Sequence, residues 1–359
     1  TVPAARTPAA GAALLLGALD ADADATVRAV LTAAGFGFGS VGPVVVVREV
    51  RGRLAEIGTL LKDRLSPYTR SCVQAAYVPG GIATPDAAMS ALMSARPLAE
   101  MVEHIEHEWV RDALSQNAVF SMFHPIVDPA AGTAFAYEAL LRARGGADGK
   151  VVGAGPIIAA CERLNLLHQL DQRARQAAIR GAAEHLPADA RVFINFLPNT
   201  IYDPEICLRT TMEAAAVHNL SMSRLVFEVV ETERIPDMAQ LLHILDYYRG
   251  RGVGTAIDDM GAGHTSLDYI TALRPDFVKI DREFMLAAEA DPAGRRAMDA
   301  IVRASHRHGA RVIAEGIETE AQAALCVGSG VDLLQGFLFA EPAVPPQPVR
   351  LPASFRRAA

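Results

Sequence analysis

The chain has 359 residues, of which 51% are hydrophobic and 21% charged, and its net charge is -7. That length suggests two domains, and the composition supports a large core and excludes global disorder. The acidic balance gives no general pull toward nucleic acid or an anionic membrane, so a polyanionic ligand would need local cations or metal ions.

Residues 11–19 (GAALLLGAL) are too short to span a bilayer and are followed by Asp20, Asp22 and Asp24. They read as a buried strand and not as a leader or a membrane span. The aspartate run resembles a calcium loop, but Ala25 and Leu31 stand where such a loop needs glycine and glutamate. Strands at residues 12–16, 44–50 and 73–78 and helices at 25–34 and 51–65 make a small α/β unit. Residues 97–116 read as a helix leading into the second part. The scattered Cys72, Cys161, Cys207 and Cys326 fit free thiols in a reducing compartment, which predicts a cytoplasmic protein.

The second part alternates strands and helices. Strands are expected at residues 120–127, 135–142, 192–196, 225–230, 254–260, 277–280, 311–317 and 333–339. Helices are expected at 170–184, 205–218, 237–251, 291–308 and 319–328. A short turn at 128–132 makes the first two strands antiparallel, and the later alternation makes the rest parallel. Eight strands in about 220 residues is the size of a (β/α)8 barrel. The predicted fold is therefore α/β, a TIM-like barrel with one antiparallel strand near its start, preceded by a small α/β domain. The expected boundaries are 1–110 for the small domain, 111–350 for the barrel and 351–359 for a tail.

Seven of the eight strands carry, or end beside, a polar group that an apolar strand should not hold. These are Glu138, Asn195, Glu228, Asp258 with Asp259, Lys279, Glu315 and Gln335. A carboxylate among apolar residues is costly unless it is paired or bound to metal. One such residue is as readily structural as functional, but four strands carrying it in phase point to a metal-binding mouth. Carboxylates plus one amide suit Mg²⁺ or Mn²⁺ better than a structural zinc. The adjacent Asp258 and Asp259 fit two metals bridged by a shared ligand. Lys279 can hold or deprotonate water, or neutralise phosphate; a structural pairing with Asp281 or Glu283 is the alternative. Gly336, next to Gln335, would let a ligand approach the backbone. Arg142 can pair with a phosphate oxygen or sit exposed, and Glu318 can serve as a first-turn helix residue. The sequence carries no nucleic-acid fold signature.

These residues resemble the EAL-domain phosphodiesterases, which hydrolyse the bacterial messenger cyclic di-GMP. The motifs are Glu138-Ala139-Leu140 followed by Leu141-Arg142, INFLP (194–198), FEVVE (227–231), DDMGAG (258–263), KID (279–281), AEGIET (314–319) and QGFLF (335–339). They stand in the family's order and spacing over about residues 111–345. The resemblance implies two Mg²⁺ or Mn²⁺ ions held by Glu138, Asn195, Glu228, Asp258 and Asp259. It implies that Lys279 and Glu315 position or activate water, that Gln335 supports that water, and that Glu231 braces the loop from Asp259 to Ser266. Arg142 and Glu318 are the expected substrate contacts. The implied product is linear pGpG, and the implied assembly is a homodimer through the barrel. The alternative is a catalytically silent cyclic di-GMP receptor signalling through the amino-terminal domain. Met260, His264, His124 and Ala143 depart from the family's usual residues, and none of them removes a metal ligand.

Overall fold

Four consecutive valines need apolar cover, and Val44–Arg48 forms a strand of an antiparallel sheet. The computed structural model describes residues 12–352 and 355, except 49, 51–52, 79–89, 92, 108, 146–148, 198–202, 231–237 and 261–266. The chain divides into two compact units between Asp112 and Ala113.

The first unit runs β1 (Ala13–Ala18), α1 (Ala21–Ala33), β2 (Phe38–Val41), β3 (Val44–Arg48), α2 (Leu54–Arg64), α3 (Pro67–Ser71), β4 (Val73–Val78), β5 (Arg96–Pro97) and α4 (Leu98–His107). Its sheet has the order β2-β3-β1-β4-β5, with every neighbouring pair antiparallel. The first four strands follow the split βαβ arrangement. Leu14, Leu16, Val45 and Val47 of the sheet share a core with Val27, Leu31, Ile57 and Leu61 of the helices. The aspartate run starts α1. Asp20 is the N-cap, its Oδ1 accepting from the Ala23 amide at 2.7 Å, and Asp22 and Asp24 sit in the first turn, where the helix dipole favours them.

The division falls within α5 (Trp109–Ser115), and the second unit continues with β6 (Val119–Asp128), β7 (Thr133–Gly145), β8 (Lys150–Gly153), α6 (Ala154–Arg163) and α7 (Leu167–His185). It continues with β9 (Arg191–Phe196), α8 (Pro204–Val217), β10 (Leu225–Val230), α9 (Met238–Arg249), β11 (Gly254–Met260) and α10 (Asp268–Leu273). It ends with β12 (Phe277–Ile280), α11 (Arg282–Ala290), α12 (Pro292–Arg307), β13 (Arg311–Ala314), α13 (Glu320–Gly328) and β14 (Leu333–Gln335).

Eight of these strands close into a ring, β6-β7-β9-β10-β11-β12-β13-β14, with β14 pairing back onto β6. Only β6 runs against both of its neighbours in the ring. The other ring pairs are parallel. The expected TIM-like barrel with one antiparallel strand at its start is thus observed. The addition is β8, which hairpins onto β7 outside the ring. The barrel interior holds one packed cluster with an apolar side chain from each strand: Ile126, Ala136, Phe193, Val226, Ala256, Phe277, Ile313 and Leu333. Leu351 and Phe355, in the expected tail, pack against the barrel's main core.

Strands β13 and β14 end earlier than the sequence suggests, because the chain beyond them crosses. The Ile317 amide donates to the Gln335 carbonyl at 3.0 Å, and the Leu338 amide donates to the Ile317 carbonyl at 3.0 Å. A Cβ on Gly336 would lie 2.1 Å from the Ile317 carbonyl oxygen. The backbone that approaches Gly336 is the protein's own, not a ligand's. Among the described residues no helix is long and apolar enough to cross a membrane.

Candidate active site

Side chains two apart on a strand share a face. Two residues beyond the apolar layer, the barrel interior therefore acquires a second ring. Ala136 leads to Glu138, Phe193 to Asn195, Val226 to Glu228 and Ala256 to Asp258. Phe277 leads to Lys279, Ile313 to Glu315 and Leu333 to Gln335. On the reversed β6 the count runs backwards, from Ile126 to His124. All eight members of this second layer are polar. The first seven were expected from the sequence. His124 was noted there only as a departure from the resembling family, although a histidine at even spacing from Ile126 on a reversed strand is the signal that finds it.

The layer is one connected network. Lys279 Nζ lies 2.6 Å from Glu315 Oε1, 2.8 Å from Glu228 Oε1, 2.9 Å from Asp258 Oδ1 and 3.5 Å from Glu138 Oε1. Asn195 Nδ2 donates to Glu228 Oε2 at 3.0 Å and to Glu138 Oε1 at 3.2 Å. Gln335 Nε2 donates to Glu138 Oε2 at 2.7 Å and meets His124 Nδ1 at 2.9 Å. Burial lowers the pKa of His124. A neutral ring then accepts from Gln335 at Nδ1 and carries its proton on Nε2. The sequence left open whether Lys279 pairs with Asp281. Asp281 instead caps α11, accepting from the Glu283 amide at 2.9 Å.

Asp259 joins the site through a backbone irregularity. The register of β11 against β12 slips between Ile257 and Met260, so β11 carries an extra residue there. Asp259 takes a left-handed φ of 56°. Such a bulge re-aims a side chain, and a non-glycine residue in this conformation is characteristic of functional sites. Here it lets two consecutive carboxylates join one cluster. Ligand atoms of Glu138, Glu228 and Asp258 lie within 4.8 Å of one another, as do those of Asp258, Asp259 and Glu315. Asp258 belongs to both groups. Two oxygen-only sets that share a carboxylate fit a pair of hard divalent cations.

Five carboxylates against one ammonium leave four formal negative charges, and most are out of water. Glu228 is 0% exposed and Lys279 1%. Burial, then the Glu138 and Asp258 charges, push Glu228 well above the ordinary carboxylate range despite Lys279. Burial raises Asp258 as well. It raises Asp259 to about 6, with the neighbouring Asp258 adding to the effect. Glu315, whose Oε1 is buried although its side chain is 20% exposed, is raised to about 8 by burial. Burial also acts on Glu138, but Lys279 and the donors Gln335 and Asn195 hold it below its usual value. Burial would lower Lys279; the surrounding carboxylates win and hold it well above the ordinary lysine value.

These shifts set the pH dependence of the metal-free protein. Glu228, Asp258, Asp259 and Glu315 bind protons more tightly folded than unfolded, so stability is highest below the ordinary carboxylate range of about pH 4. It is lost as pH rises through about 6 and then about 8, the folded values of Asp259 and Glu315. Glu138 and His124, both held below their ordinary values, oppose this trend, two groups of the ring against four. Melting in chelator from acidic to mildly alkaline pH should show a falling midpoint, and a midpoint that climbs over this range would contradict the network as described.

The remaining expected residues are placed as follows. Arg142 lies two pleats above Glu138 on β7, half-buried, its guanidinium donating to the Leu141 carbonyl at 2.8 Å. Glu318 is not in the cluster. It is exposed, pairs with Arg282 at 3.0 Å, and directly precedes the N-cap Thr319 of α13, outside the helix's first turn. Glu231, His264 and the 261–266 loop lie outside the described residues. Beside the acidic layer opens a pocket of about 270 Å³, lined by Leu140, Ile158, Leu170 and Phe196 and reaching Asn195, Asp258 and Asp259. A buried carboxylate, Asp171 of α7, also stands in its wall. Sequence reasoning missed it, because Asp171 and Arg175 look like an ordinary i,i+4 surface pair.

An eight-stranded barrel with one reversed strand and an acidic ring at the carboxyl ends of its parallel strands defines a barrel-enzyme scaffold. Residues 107–342 match the EAL domain, and the chain belongs to the EAL domain family. It is 32% identical over 240 residues to the bifunctional diguanylate cyclase/cyclic di-GMP phosphodiesterase MucR of Pseudomonas aeruginosa, covering 65% of this chain and 34% of MucR. The chain spans about a third of the length of the curated relatives it matches first. Its fold is similar to a standalone EAL protein from Vibrio cholerae O395 in its c-di-GMP-bound form, with a TM-score of 0.58 and 32% identity over 65% of this chain and 95% of that one. It is also similar to the Bacillus subtilis YkuI protein in complex with c-di-GMP and calcium, with a TM-score of 0.57 and 25% identity over 66% of this chain and 58% of that one.

Proposed function

We propose that this protein hydrolyses cyclic di-GMP to linear pGpG with the help of two divalent cations, Mg²⁺ or Mn²⁺. The observation that carries this reading is the pair of carboxylate triads sharing Asp258 at the top of a closed barrel. Glu138, Glu228 and Asp258 would hold one ion, with Asn195 turning its amide oxygen toward it. Asp258, Asp259 and Glu315 would hold the other. When bound, the ions supply Lewis-acid neutralisation of the phosphate and acidification of water.

The chain's own residues do the rest. Lys279 Nζ supplies fixed positive charge where negative charge builds up on the phosphate. Glu315, whose Oε1 is held by Lys279 at 2.6 Å, is placed to take the proton of the attacking water on its other, more exposed oxygen. Water adds to phosphorus, the bond from phosphorus to one 3′ oxygen breaks, and that oxygen takes a proton from solvent while Glu315 returns its own to solvent, giving a 5′-phosphorylated linear dinucleotide. Gln335 orients Glu138 through a 2.7 Å hydrogen bond. The apolar pocket beside Asn195 suits a flat base attached to the reacting phosphate. Arg142 and Glu318, on the rim, are the proposed substrate contacts, and Glu231 the proposed brace of the loop that follows Asp259.

Every polar position of the ring is filled, which favours an enzyme over a silent receptor. On the same reading the protein acts in the cytoplasm as a homodimer through the barrel, and residues 1–110 are regulatory or dimerising. The test is incubation of purified protein with cyclic di-GMP in Mg²⁺, Mn²⁺ or chelator, followed by chromatography of the nucleotides. Metal-dependent appearance of pGpG is expected. Binding without hydrolysis in either metal would favour the receptor.

A further inference from the structure

The chemistry above makes no use of the ion pair between Asp171 and Arg175, one turn apart on α7. Each side chain is only 2% exposed. A second guanidinium nitrogen of Arg175 donates to the Cys207 carbonyl at 3.5 Å. A buried ion pair gains little over apolar side chains of the same volume, so core stability does not account for it. What distinguishes this pair is the other oxygen of Asp171, which accepts from the Leu197 amide at 3.2 Å. Leu197 is the first residue beyond β9 and stands two positions from Asn195. Asp171 also shares the pocket wall with Asn195, Asp258 and Asp259.

We propose that Asp171 is a positioning residue: its carboxylate, neutralised by Arg175, clamps the backbone at Leu197 and so holds Asn195 in place as a cation ligand. The proposal rests on the metal reading given above. Partners that orient metal ligands without touching the ion commonly govern affinity for it.

Two double variants separate a clamp from a merely structural pair. Asp171→Asn with Arg175→Met removes both charges yet keeps an amide oxygen for the Leu197 amide. Asp171→Leu with Arg175→Met removes that acceptor as well. Calorimetric titration of the whole chain with Mn²⁺ should find the first variant within about threefold of the wild type and the second weakened by about 10- to 100-fold. Thermal melts in chelator establish that both are folded. If the leucine variant does not fold, Asp171→Ala with Arg175→Met lacks the acceptor equally and replaces it. Unchanged Mn²⁺ affinity in both, or an equal loss in both, would overturn the clamp. Failure of the wild type itself to take up Mn²⁺ would overturn the metal reading, and the clamp would fall with it.

Discussion

Glu138→Ala is expected to abolish turnover of cyclic di-GMP in a protein that still folds. Glu138 joins both halves of the polar ring. It accepts from Gln335 on one side and Asn195 on the other, and it lies 3.5 Å from Lys279. It is also one of three carboxylates in the first triad. Removing it leaves Gln335 and Asn195 short of an acceptor, which should lower the metal-free midpoint somewhat, while the repulsion it exerts on Glu228 and Asp258 is relieved and the protein stays folded. The catalytic loss follows from weaker cation binding and poorer charge neutralisation at phosphorus. That contribution is several kcal/mol, or a rate loss on the order of 10³-fold. Initial rates in saturating Mn²⁺, measured beside a melting curve, check it. Full activity in a folded variant would remove Glu138 from the reacting centre.

What could be read from the sequence, and what could not, follows from the same physics. Glu228 in LVFEVV and Lys279 in FVKI stand out because an ionised group inside an apolar strand needs a reason. Strand alternation then phases them, and seven of the eight ring members were found in this way. His124 escaped because β6 runs backwards and because histidine before proline does not look misplaced. Strands β2 and β8 were missed for a different reason: residues 35–43 and 145–155 are rich in glycine and resemble loops, and only pairing with β3 and β7 makes them strands. The bulge that brings Asp259 beside Asp258 depends on register against β12, which no local pattern encodes. Asp171 and Arg175 were invisible as a buried pair because their spacing is that of any exposed helical pair.

The second large effect is expected at Lys279, where Lys279→Met should destabilise the metal-free protein and make its stability depend on divalent cations. Lys279 is 1% exposed and touches Glu138, Glu228, Asp258 and Glu315. Methionine fills much of the same volume but leaves those carboxylates without their common cation. Breaking a buried ion pair by removing one partner costs about 3–5 kcal/mol. The cost should grow with pH, because Glu315 sheds its proton only near 8 even with the ammonium present. Mn²⁺ should restore the fold. A ligand that binds only the folded form stabilises it by about 2.7 kcal/mol at a hundred times its Kd, and a more negative site binds the cation more tightly. The midpoint of the variant should therefore respond to Mn²⁺ more strongly than that of the wild type. Turnover should not recover with it. Because Lys279 supplies fixed positive charge toward the phosphate, the loss of about 10²- to 10³-fold expected on removing one such electrostatic group persists in saturating metal. A variant that regains both its melting point and its full rate in Mn²⁺ would reduce Lys279 to charge compensation, a role the ions take over once they are bound.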